Sequence, residues 1–265
     1  MTLLSGVAHR AVFAPLDDGA ARSEAVVRRL GGAIALGLIV DGEQLPPEVE
    51  LATSLNVSTM TLRDALSDLR ARGLVRTRRG RAGGTFVHAS PDALSDLTHA
   101  RLAELGTADL REMGDFHAAV AGAAARLAAS RASRKEIGRL HEIVDQFAAA
   151  GQNTDQRRLD GRFYIEVAAC AQSVRFTMQE IDLQVEAGQL PWPTAGSPER
   201  LDQTAQAHRA VVDAIAARDA DGARRLTEAL IAMRTMWLIT LRLRLAADVE
   251  TGVGSTGQAA QEVLQ

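Results

Sequence analysis

The sequence predicts a mainly α chain in two parts, a small helix-and-hairpin unit followed by an all-α antiparallel helical bundle. Three observations carry this. Over 22–89 the elements read helix, helix, tight turn, helix, two-stranded hairpin. Six arginines fall between Arg70 and Arg81, and no acid lies between Asp68 and Asp92. After Pro91 the composition changes to long Ala/Leu-rich stretches with few breakers. Ser90-Pro91-Asp92 reads as a linker or helix start, which divides the chain into 22–89 and 92–248. The segments 1–21 and 249–265 lack sustained periodicity and read as flexible ends.

In the first unit, Ser23 suits the cap of a helix over 23–40, with Val26, Val27, Leu30, Ile34 and Leu38 on one face. Gly31, Gly32 and Gly37 weaken it. Leu45-Pro46-Pro47 forces a break, and Pro47 suits the first turn of a helix over 48–55. Asn56-Val57 makes a tight turn, and Ser58 caps a third helix over 59–71. Leu62, Leu66 and Leu69 point inward on that helix, while Thr59, Arg63 and Arg70 point away. Gly73 ends it, and 74–77 and 85–87 read as short strands around an Arg/Gly loop. This is the order of a winged helix-turn-helix.

In the second unit, helices are expected over 93–104, 107–131, 134–150, 155–171, 173–188, 198–218 and 221–248. Ser133 and Ser173 are caps, and Pro191-Trp192-Pro193 is the strongest break. Antiparallel packing is natural for such segments.

Composition narrows the function. With 46% hydrophobic and 24% charged residues the chain can bury a core. No apolar run reaches the roughly 20 residues of a membrane helix, and no export signal is visible. The single cysteine, Cys170, excludes an intramolecular disulfide framework and cysteine-based zinc fingers, so the cytoplasm is expected. A net charge of −3 means that nucleic-acid contact must come from a local patch. Ser58, Thr59, Thr61 and Arg63, on the first turns of the third helix, are the groove-facing candidates. Arg63 is the best base reader, because a guanidinium bonds a guanine edge in bidentate fashion. Arg79, Gly80 and Arg81 form the wing that meets the phosphate backbone or a minor groove. The bland alternative is that the arginine run is a solvated face.

Leu45-Pro46-Pro47-Glu48-x-Glu50-Leu51-Ala52, Val57-Ser58, Thr61-Leu62-Arg63-Asp64-Ala65-Leu66, Gly73-Leu74-Val75 and Gly84-Thr85-Phe86-Val87 resemble the N-terminal signature of GntR-type transcriptional regulators. The resemblance implies a winged helix that binds operator DNA. Two departures stand out: the family usually carries arginine where this chain has Val49 and Thr59, so a different operator or weaker binding is expected. Leu127-Ala128-Ala129, Asp160-x-x-Phe163-Tyr164, and His208 followed by Ala214, Asp219 and Ala223 resemble the FCD-type effector domain of the FadR branch.

Many such domains hold a divalent metal on one Asp and three His. In this chain the matching positions are Asp160, Tyr164, His208 and Leu230. Leucine cannot ligate a metal and a neutral phenol ligates poorly, so the site reads as degraded, with remnants Asp160 and His208 and no metal cofactor. His117, Asp160, Tyr164, His208 and Leu230 are then the effector-pocket candidates, with Arg162 or Arg175 as cations and Leu230 as an apolar wall. For His117 and His208 a hydrogen-bonded core role is the alternative. The expected function is a ligand-responsive repressor that binds a two-fold double-stranded operator as a homodimer, with an organic acid or acyl derivative as effector. The alternatives are a DNA-binding architectural protein without effector, or an enzyme using the helical pocket. No phosphate loop, nucleophile elbow or His-Glu-x-x-His motif supports the enzyme.

Overall fold

The computed structural model describes residues 12, 13, 15, 22–80, 83–88, 90–151, 153–192, 194 and 196–250. The expectations for 1–21 and 249–265, and the wing position Arg81, lie wholly or largely outside them. The elements run α1 (Arg22–Ala35), α2 (Glu48–Ser54), α3 (Thr59–Ala71), β1 (Val75–Arg78), β2 (Gly84–Val87), α4 (Pro91–Glu104), α5 (Thr107–Arg131), α6 (Arg134–Ala149), α7 (Asn153–Cys170), α8 (Val174–Ala187), α9 (Pro198–Ala216) and α10 (Ala220–Glu250). The chain is therefore mainly α, with one small antiparallel sheet.

Helix α1 stops five residues before the expected end. Gly37 adopts φ +71°, a left-handed backbone that favours glycine, and Leu38 N bonds Ala33 O at 2.9 Å in the closing turn. Leu45 from the proline break is buried in the core of α1–α3, with Leu30, Leu51, Leu62, Leu66 and Leu69. Between α2 and α3, Asn56 takes φ +56°, which asparagine tolerates better than most residues. Ser58 caps α3 by accepting from Thr61 N at 3.0 Å. Strands β1 and β2 pair from Val75↔Val87 to Arg78↔Gly84. The segment 42–45 flanks β2 on its other side, with Leu45 N to Thr85 O at 2.9 Å and a bridge Gln44↔Phe86. That third ribbon was read from the sequence only as a break.

Ser90 is an N-cap, accepting from Ala93 N, so the Ser-Pro-Asp segment is the start of α4. Ser133 and Glu136 close a reciprocal capping box on α6. The long helices α5 and α10 make the most extensive helix pair. With α6, α7 and α9 they bury an apolar cluster that includes Ala125, Ala128, Ile143, Phe163, Val211 and Leu230.

The two units meet at a glycine seam. Val185 of α8 belongs to the buried core of the α1–α3 unit. A Cβ on Gly32 would run into Val185 O, and one on Gly188 would sit 2.5 Å from Gly32 O. Only glycine permits so close a backbone approach. Among the described residues no helix is long and apolar enough to cross a membrane.

Candidate functional site

The first surface is the outer face of α3 with the hairpin beside it. Thr59 and Arg63 are exposed and Thr61 is half-buried. The hydroxyls of Ser58 and Thr61 lie 2.8 Å apart, so Ser58 is partly committed to holding the helix start. Arg63 donates from Nε to Glu48 Oε2 at 2.8 Å. Its side chain remains 65% exposed, so the pair is weak and the guanidinium can exchange partners. Val49 and Met60 are exposed apolar residues on α2 and α3. On the hairpin, Arg76, Arg78 and Arg79 are exposed, with Arg78 stacked 4.6 Å over the Phe86 ring. Gly80 turns the wing at φ +107°, and Gly83 N bonds Gly80 O at 2.9 Å. Gln44 pins the wing base by donating to Gly83 O at 3.2 Å. The arrangement presents guanidinium groups on an exposed helix face and hairpin, as groove and backbone contacts require.

The second is a cavity, partly open to solvent, between α5, α7, α8 and α10. Leu110 and Met113 of α5, Leu183 of α8, Trp192, and Ile231 and Leu238 of α10 make most of it apolar. Leu36, just beyond the end of α1, closes one wall. The polar lining includes His117, Arg157, Asp160, Gln184 and Arg234. Asp160 is buried and accepts from Arg234 through both oxygens, at 2.7 Å and 3.1 Å. Trp192 Nε1 donates to Asp160 Oδ2 at 3.2 Å. Burial opposes the charge on Asp160, but Arg234, helped by His208 and Trp192, holds its carboxyl below the usual range. Arg234 also donates to the Tyr164 hydroxyl at 3.2 Å. Burial pushes the Tyr164 pKa up despite that arginine, so it stays a phenol.

Arg157 is the unusual cation. Its Nη2 caps the end of α8, donating to Gly188 O at 2.6 Å and Leu190 O at 2.8 Å. It has no ion-pair partner among the described residues. Desolvation lowers its pKa to about 10, so it remains charged at neutral pH. Arg234 and Asp160 form an ion pair, which leaves Arg157, held by backbone carbonyls, as the cavity-lining cation outside an ion pair. Such a wall can hold an anionic group on an otherwise apolar molecule.

Sequence comparison matches 22–87 to the family described as bacterial regulatory proteins, gntR family, and 112–233 to the FCD domain. RmpR of Mycobacterium gastri, named as an HTH-type transcriptional regulator, is 40% identical over 229 residues, covering 84% of this chain and 82% of the relative. The chain belongs to the GntR family. The galactonate operon transcriptional repressor of Escherichia coli (strain K12) is 26% identical over 228 residues, covering 81% of this chain and 95% of that protein. The solved structure of E. coli McbR/YncC shares the fold, with a TM-score of 0.50 at 16% identity over 83% of this chain and 98% of that one. This GntR-family chain is a transcriptional regulator with a winged helix and an FCD domain.

Of the expected effector residues, His117 and Asp160 line the cavity. Tyr164 and His208 lie behind that wall: Tyr164 is buried 5.1 Å from the His117 ring, and His208 Nε2 is 3.3 Å from Asp160 Oδ1. That approach is close enough for attraction but off hydrogen-bond geometry, and burial lowers the His208 pKa in spite of Asp160. Leu230 does not form the expected wall; it is packed in the core cluster with Phe163 and Tyr164. Arg162 and Arg175 are likewise not among the residues that line the cavity. The cations present are Arg157 and Arg234. Neither carried a sequence signal, since arginines recur all around these helices.

The donor set is a poor match for a divalent metal. Among the described residues no three His, Cys, Asp or Glu side chains converge as ligands. Both Asp160 oxygens are already engaged, and Tyr164 keeps its proton.

Proposed function

We propose that this GntR-family regulator is an effector-responsive repressor in the cytoplasm, binding a two-fold operator as a homodimer. Its effector is an organic acid or acyl derivative with an apolar body, held in the α5–α7–α8–α10 cavity by Arg157. The observation that carries this reading is Leu36: the residue that follows the first helix of the winged unit is itself part of the cavity wall. A ligand that displaces Leu36 acts on the winged unit without any intervening element, which gives the two sites a route for coupling. Repression is favoured by the likeness to the galactonate operon repressor. Groove reading falls to Ser58, Thr59, Thr61 and Arg63, and backbone contact to Arg79, Gly80 and Arg81.

The test needs an operator and a ligand. Genomic fragments retained by the purified chain give the duplex for fluorescence anisotropy, and a panel of carboxylic acids screened by thermal shift gives the ligand. An acid that raises the melting temperature is expected to weaken operator binding. Arg157→Gln is expected to remove the acid-dependent shift. Acids that stabilise the chain yet never change operator affinity defeat the effector reading and favour an architectural DNA binder.

A further inference from the structure

Asp160, Tyr164 and His208 come from two helices and converge behind the cavity wall, and a side chain from a third helix lies among them. The Arg234 guanidinium grips both oxygens of Asp160, at 2.7 Å and 3.1 Å, and donates to Tyr164 Oη at 3.2 Å. His208 Nε2 approaches the same carboxylate to 3.3 Å. We propose that Arg234 is a built-in cation that takes the place of a divalent metal in this effector domain, bracing Asp160 and Tyr164 at the cavity wall and leaving Arg157 to meet the ligand. The proposal rests on the reading of the cavity as an effector pocket and names the group that braces its polar wall.

The geometry follows from helix stereochemistry. Side chains on an α-helix lean toward its N-terminus, so a residue covers the turn before its own Cα. Arg234 lies one turn after Leu230, and its long stem carries the guanidinium back toward the space that a ligand at position 230 would serve. Leucine at 230 then fills the core instead. The planar fork of an arginine matches a carboxylate in bidentate fashion, which an ammonium group does not. A metal entering here would have to take Asp160 from Arg234 and Trp192, leaving a half-buried guanidinium without its counter-charge. Cation and metal exclude one another.

The test uses the full chain and three metal probes, Zn²⁺, Ni²⁺ and Mn²⁺, added singly after dialysis against a chelator. Metal content and melting temperature are the readouts, and neither depends on operator binding or on finding the effector. The outcome is therefore separate from the fate of the regulatory reading. The wild type is expected to hold well under one metal per chain and to show no metal-dependent shift. Tyr164→His with Leu230→His supplies both missing imidazoles but keeps Arg234, and it too is expected to show no shift. Adding Arg234→Leu is expected to give stoichiometric metal and a melting temperature that rises with metal concentration, as mass action requires of a ligand that binds only the folded state. Stoichiometric metal in the wild type, or equal affinity in the double and triple variants, overturns the proposal. So does a folded triple variant that binds none. The first two chains retain Arg234 and decide the matter even if the triple variant does not fold.

Discussion

Glu48 holds Arg63 when DNA is absent, and the two compete for one guanidinium. The pair is exposed, worth about 0–1 kcal/mol, while a bidentate guanine contact is worth about 1–3 kcal/mol of discrimination. A base contact of that size outweighs the pair. Arg63→Ala is therefore expected to lose selectivity between operator and scrambled duplex. Glu48→Ala is expected to tighten binding to both duplexes several-fold, because it frees Arg63 and removes a negative charge facing phosphates. Anisotropy titrations of the two variants check this; weaker binding by Glu48→Ala would mean that Glu48 orients Arg63 for DNA. Inside the bundle, His208 sets an acid limit. Burial lowers its pKa below the unfolded value of about 6.5, so as the pH falls through that value the unfolded chain takes up a proton that the folded chain refuses. Stability is present above that pH and declines below it. Asp160 acts in the same direction further down, since its depressed pKa contributes stability that is lost as the pH falls through the carboxylate range. Melting temperatures at pH 7.5 and 5.5 are expected to differ more for the wild type than for His208→Gln, by roughly 2–4 °C per kcal/mol. Equal losses in both chains would put the acid sensitivity elsewhere.

At the scale of elements, the contact that matters most is the seam between α1 and α8. Replacing a helical glycine with alanine ordinarily stabilises by about 1 kcal/mol. Gly138 on α6 is such a case, with open space where its Cβ would be. Gly32 is the opposite case, because its Cβ would meet the Val185 carbonyl, which cannot swing aside like a side chain. Overpacking of this kind costs about 1–3 kcal/mol, so Gly32→Ala is expected to lower the melting temperature while Gly138→Ala raises it. A stabilised Gly32→Ala chain would show that the two units separate without penalty. The sequence made the elements legible because their signals are local: Leu62, Leu66 and Leu69 at helical spacing, Ser58 and Ser133 at caps, Gly73 at a stop. It hid the seam because Gly31-Gly32 looks like a flaw in a helix until Val185, some 150 residues later, is placed against it. The same limit hid the cavity cations. Asp160 and His117 were reached through the resemblance to the effector domain, whereas Arg157 and Arg234 looked like any surface arginine, and only tertiary packing turns them inward.

For the whole molecule, the proposed two-fold binding needs a surface that sets the spacing of two winged units. The bundle leaves apolar side chains uncovered on its two longest helices: Phe116 on α5 is 51% exposed, and Met236 and Leu243 on α10 are each 56% exposed. Met236 and Leu243 are seven residues apart and share one face of α10. The winged unit has to stay free for DNA, so a two-fold partner is best seated on this bundle surface, where an interface of standard size would bury about 800 Å² per chain. Light scattering of the wild type is expected to give about twice the 28.2 kDa chain mass. Met236→Glu with Leu243→Glu places two charges where desolvation would be required, and is expected to give the single-chain mass with an unchanged circular dichroism spectrum. Operator affinity should fall with it, because a monomer reads one half-site and loses the contacts that the second helix supplies. A double variant that stays dimeric would move the interface off this face. A wild type that is monomeric at micromolar concentration, yet protects both half-sites of its operator, would remove the need for a dimer in solution and leave assembly to the DNA itself.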